Sequence, residues 1–93
     1  MSEFAHWLKH QLEQRQISYR QFEADTNIPR SNLSRYLTKQ RVPTVTSCNL
    51  IADYFARLDA KQEKLTNTQQ HNRFTVYLLH INATIMILSL IHI

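Results

Sequence analysis

A chain of 93 residues has room for one small domain, and a short chain buries a smaller share of its surface than a long one. Eleven Lys and Arg against seven Asp and Glu leave a net charge of +4, which favours a polyanionic partner; the complete absence of Gly excludes a glycine-rich phosphate-cradling loop. The one cysteine excludes an internal disulfide, and no Cys cluster offers a structural zinc site.

The charge is unevenly spread. Residues 1–57 hold eight basic against five acidic side chains, residues 58–73 three against two, and residues 74–93 none. The first ten residues contain Glu3, Lys9 and two histidines, unlike a secretory leader, so a reducing cytoplasm is the expected compartment.

Glu3 to Gln16 reads as a first helix, with Ser2 as its cap and Phe4, Leu8 and Leu12 spaced by four along one face. At this length it needs a packing partner to be stable. His6 and His10 are four apart, a spacing that suits metal ligation, but no third ligand stands nearby and solvated surface histidines are the simpler reading.

Ser18 is a good cap for a second helix over Tyr19 to Asp25, and Thr26-Asn27 ends it, because Asn tolerates the left-handed conformation. Pro29 suits the first turn of a third helix, which runs to Thr38. There Leu33, Tyr36 and Leu37 form one apolar stripe, leaving Arg30, Ser31, Asn32, Ser34 and Arg35 off it. Such a face has two guanidinium forks, one amide, two hydroxyls and no carboxylate. That inventory suits phosphate oxygens and base edges in a DNA major groove.

Lys39 to Pro43 is a basic loop placed to rest against a phosphate backbone. Thr44 caps a fourth helix whose apolar stripe is Val45, Cys48, Ile51, Ala52 and Phe55, continuing through Leu58 to Leu65. Cys48 on that stripe reads as a small buried apolar residue rather than a nucleophile. Thr66 to Asn72, polar and rich in Gln and Asn, reads as a linker.

Residues 74–93 carry no Asp, Glu, Lys or Arg, and they allow several readings. A helix of this length would reach across a bilayer's hydrocarbon core, flanked by Arg73. Leu79 to Ile85 alternates apolar and polar residues as a strand does, suited to pairing with a second copy. A helix in water would need burial on nearly every side, and an exposed end without a partner is the plainest reading. Self-association is favoured over a membrane anchor, because Asn and His are costly near a bilayer's centre. The expected division is thus 1–65 as a helix-turn-helix unit, 66–73 as linker and 74–93 as a self-association or anchoring tail.

Phe22, Asn27, Ile28, Leu33, Tyr36, Pro43, Ile51, Ala52 and Phe55, in this register, resemble the Cro and lambda-repressor type of helix-turn-helix domain, the XRE-like family, over about residues 4–57. The resemblance implies an all-α, compact four- or five-helix bundle, here with an apolar C-terminal tail as strand or helix. It implies a cytoplasmic, bacterial or phage-encoded transcriptional regulator, a repressor that binds a palindromic operator in double-stranded DNA as a homodimer. Its third helix, Pro29 to Thr38, would enter the major groove. Carried over residue by residue, it puts Arg30, Ser31, Asn32 and Arg35 on the bases, and Tyr19, Arg20, Ser34, Lys39 and Arg41 on phosphates. Gln16, Asn27 and Lys39 stand where the family often has Gly. Glu23 stands where it usually has Ala, so that carboxylate must tilt outward or the helix pair must open.

An alternative is a protein-interaction module, antitoxin-like or membrane-tethered, that docks through its tail. No enzyme is expected, since there is no paired-carboxylate motif, no Ser/His/Asp or Cys/His arrangement and no metal or cofactor box.

Overall fold

A computed structural model describes the backbone of residues 3–38 and 40–91 and the side chains of residues 4–38 and 40–84. Among the described residues five helices follow one another: α1 (Glu3–Gln14), α2 (Tyr19–Thr26), α3 (Arg30–Leu37), α4 (Val45–Glu63) and α5 (Asn67–Ile91). Among the described residues there is no strand.

Each turn is written in local chemistry. Ser18 accepts a hydrogen bond from the Gln21 amide and starts α2; Thr44 accepts from the Ser47 amide and starts α4. With no glycine available, three ordinary residues take the left-handed conformation: Gln16, Asn27 and Lys64, at φ of 56°, 62° and 55°. At the two outer sites the chain closes with a helix-ending bond, Ile17 N to Leu12 O at 2.9 Å and Leu65 N to Ala60 O at 3.0 Å. Ile17 then folds back onto the core, an apolar contact that commonly accompanies this ending.

The core gathers Phe4, Leu8 and Leu12 of α1, Phe22 of α2, Ile28 of the turn, Leu33 and Tyr36 of α3, and Cys48, Ile51, Ala52, Tyr54 and Phe55 of α4. Val45, expected on the α4 stripe, is instead exposed, because it sits in the first turn beyond the edge of the packed layer. α4 packs chiefly on α5, α1 on α3 and α5, and α2 on α3 and α4.

The C-terminal third differs from the expectation most. Residues 66–73 are no linker: Thr66 and Gln69 bond each other's backbone amides in a capping box, and α5 begins there. The segment with strand-like alternation is helical as well. Phe74, Tyr77, Leu78 and Ile81 recur at helical spacing and pack against the core, with Ile81 fully buried. Two of its polar residues have partners: Thr84 donates to the Ile81 carbonyl, and the His80 ring lies 5.3 Å from that of Trp7 in α1. Among the described residues no helix is long and apolar enough to cross a membrane.

Candidate nucleic-acid interface

α3 is held from beneath. Leu33 and Tyr36 are buried, Leu37 is half-buried, and Tyr36 meets Phe4 of α1 edge to face. Behind it, α2 is tied to α4 by the Tyr54 hydroxyl, which donates to Asp25 Oδ2 at 2.7 Å. The bond to Gln21, and next the one to Tyr54, hold the Asp25 carboxyl below its ordinary value. Burial, and then the hydrogen bond to Asp25, push the Tyr54 phenol well above its own. Inside the turn, Thr26 donates to the Phe22 carbonyl and accepts from the Ile28 amide, so the reversal is braced by a buried hydroxyl.

With Leu33 and Tyr36 turned inward, the helical repeat of about 100° per residue leaves Ser31 and Arg35 opposite the core, Asn32 and Ser34 on the two flanks, and Arg30 beside the buried stripe at the start of the helix. Arg30, Ser31, Ser34 and Arg35 are exposed and Asn32 is half-buried. Arg35 has no side-chain partner among the described residues. Tyr19 and Arg20 are exposed at the start of α2. Arg41 is exposed too, yet its Nη1 donates to Asn32 Oδ1 at 2.9 Å, so these two expected contacts, one for phosphate and one for a base, are joined to each other. Lys39 lies outside the described residues.

The residues of this face supply no carboxylate, but α2 brings one to its edge. Glu23 tilts outward toward α3, where Oε2 accepts from the Arg30 backbone amide at 2.9 Å and Oε1 lies 3.2 Å from Arg30 Nε. Pro29, the cap residue of α3, has no side-chain bond to offer, and Glu23 fills that role from the preceding helix. The pair is seven residues apart with the turn between α2 and α3 intervening, so no single helix joins them.

Sequence reasoning missed a second polar cluster altogether. Asp59 of α4 is buried and accepts from Arg15 Nε at 3.2 Å, from Arg15 Nη2 at 3.1 Å, from Arg73 Nη1 at 3.0 Å, and from the Tyr77 hydroxyl. Arg15 also lies over the Phe55 ring, 4.7 Å from its centroid. Burial alone would raise the Asp59 carboxyl, but hydrogen bonds from Arg15, Tyr77 and Arg73 prevail and hold it below its ordinary value. A cleft of about 780 Å³ opens beside this cluster, lined among others by Arg15, Asp59, Glu63, Arg73 and Tyr77. Two cations there face two carboxylates, so the cleft offers no surplus charge to an anion. The cluster instead joins α1, α4 and α5.

No family model, curated protein or solved structure matches this chain.

Proposed function

We propose that this chain is a sequence-specific DNA-binding regulator of transcription, a helix-turn-helix module of the Cro and lambda-repressor type that presents α3 to the major groove. It acts as a repressor, as a homodimer on a two-fold symmetric operator, with two copies of α3 about 34 Å apart in successive grooves. The observation that carries this reading is the outer face of α3. Ser31, Ser34 and Arg35 are exposed while Leu33 and Tyr36 behind them are buried in the core. Arg35 is the central reader, Arg30 and Asn32 reach the flanking bases, and Tyr19 and Arg20 meet the backbone.

The test is selection of bound duplexes from random DNA, followed by titration of the enriched site at several salt concentrations. The expected result is a site with two related half-sites and an affinity that falls linearly with salt on logarithmic axes. Arg35→Ala is expected to weaken the enriched site by roughly 1–3 kcal/mol and random DNA by less. Equal losses on both would remove the reader role from Arg35.

A second reading, a protein-interaction module, rests on α5, where Val76 and Leu79 are 58% and 64% exposed on a helix whose last 18 residues carry no charge. Sedimentation separates the two, because it expects a complex with another protein, whereas the first expects a dimer of this chain that shifts DNA.

A further inference from the structure

Arg30 and Glu23 form an arrangement that the DNA-binding reading does not by itself require. Glu23 uses both oxygens on one residue: Oε2 accepts from the backbone amide of Arg30, and Oε1 forms an ion pair with its guanidinium, 3.2 Å from Nε. The side-chain approach runs through Nε. Neither terminal nitrogen of the guanidinium makes a hydrogen bond among the described residues, and both lie beside the start of α3.

We propose that Glu23 is a specificity-determining positioning residue, which braces Arg30 so that its two terminal nitrogens read one guanine. The inference rests on the DNA-binding reading above and names the base that one of its residues takes. Three physical points support it. A planar fork with two parallel donors fits the O6 and N7 acceptors of guanine, whereas adenine places a donor amine where O6 would be. A guanidinium already paired near Nε loses somewhat less freedom on meeting a base than an unpaired side chain does. Finally, the carboxylate occupies the start of α3, where the helix dipole would otherwise attract a phosphate. A backbone phosphate there meets negative charge, so Arg30 is turned from the backbone toward the bases.

The two roles of Glu23 are separable, since glutamine keeps an oxygen for the amide of Arg30 but abolishes the charge that holds Nε. The experiment uses the full chain and the duplex enriched by the wild type from random DNA. Wild type, Glu23→Gln, Arg30→Ala and the double variant are titrated against that duplex and against every single base-pair change in one half-site. Arg30→Ala is expected to lose about tenfold in preference at one G·C pair, and Glu23→Gln about two- to fivefold at that same pair, within what an exposed ion pair contributes; each keeps its preferences elsewhere. The double variant is expected to be no worse than Arg30→Ala, while Glu23→Gln binds random DNA as well as the wild type or better.

Thermal unfolding followed by circular dichroism accompanies each titration. If Glu23→Gln does not fold, Glu23→Asp supplies the measurement: it keeps the charge but is one methylene too short, and it must lose the same base pair. Retained preference in Glu23→Gln, or a loss spread evenly over all base pairs, overturns the inference while leaving α3 as the reading helix. A wild type that enriches no site overturns the DNA-binding reading, and this inference with it.

Discussion

The molecule contains the same chemical pair, an arginine beside a carboxylate, in two settings. Arg15 and Asp59 lie between α1 and α4 with side chains only 13% and 8% exposed; Arg30 and Glu23 lie at the start of α3 with side chains 60% and 38% exposed. In the first setting the charges have left water, so every lone pair must find a donor, and Arg73 and Tyr77 complete the set. In the second, water solvates both partners, the pair contributes little to stability, and the guanidinium keeps donors to offer outward. One arrangement is architecture and the other is available for recognition. Burial, not residue type, decides which.

The largest expected effect lies at the buried pair. Asp59→Asn removes the charge that Arg15 faces and is expected to cost about 3 kcal/mol in denaturant unfolding, because an unpaired buried cation remains. A loss under about 1 kcal/mol would mean that water enters the cluster and that the two settings are alike.

Acid sharpens the contrast further. The Asp59 carboxyl is held below its ordinary value of 3.8 in the folded chain, so its stabilising contribution is complete above that value and is lost as pH falls through the lower, folded-state one. The stability gap between wild type and Asp59→Asn is therefore expected to be constant near neutrality and to shrink below about pH 4. Unfolding curves at pH 7, 4 and 3 measure it; a gap that widens in acid would contradict the sign.

The smallest effect belongs to the exposed pair. Arg30→Ala is expected to change folding stability by less than about 1 kcal/mol, read from the same unfolding curves. A larger loss would make the α3 pair a structural element like its buried counterpart.

Which parts of this were legible in the sequence follows from the range of each interaction. Ser18 as a cap, Asn27 as a left-handed stop and the stripe of Leu33, Tyr36 and Leu37 are local signals, and the helices they delimit lie within a residue or two of the expected bounds. α5 was obscured because its start is rich in Gln and Asn, which reads as linker composition. The Thr66-to-Gln69 capping box was the local sign that a helix begins there. Its apolar remainder shows no dominant period, since Phe74, Tyr77 and Ile81 face the core while Val76 and Leu79 face outward.

The polar cluster was illegible for another reason. Arg15 and Asp59 are 44 residues apart, and nothing near either one in sequence marks it as paired. On the candidate interface, the outward positions of α3 were readable from helical spacing alone. The bonds that restrain them, Glu23 to Arg30 and Arg41 to Asn32, cross turns and were not.

Trp7, the chain's single tryptophan, sits where α1, α4 and α5 meet, its ring 5.9 Å from Phe55, 6.1 Å from Tyr77 and 5.3 Å from His80. Two of those three neighbours belong to α5. The protein thus carries its own optical reporter at this seam. Indole emission follows the seating of the last helix directly, with no dye attached, and distinguishes a tail that lifts away from a bundle that melts as one.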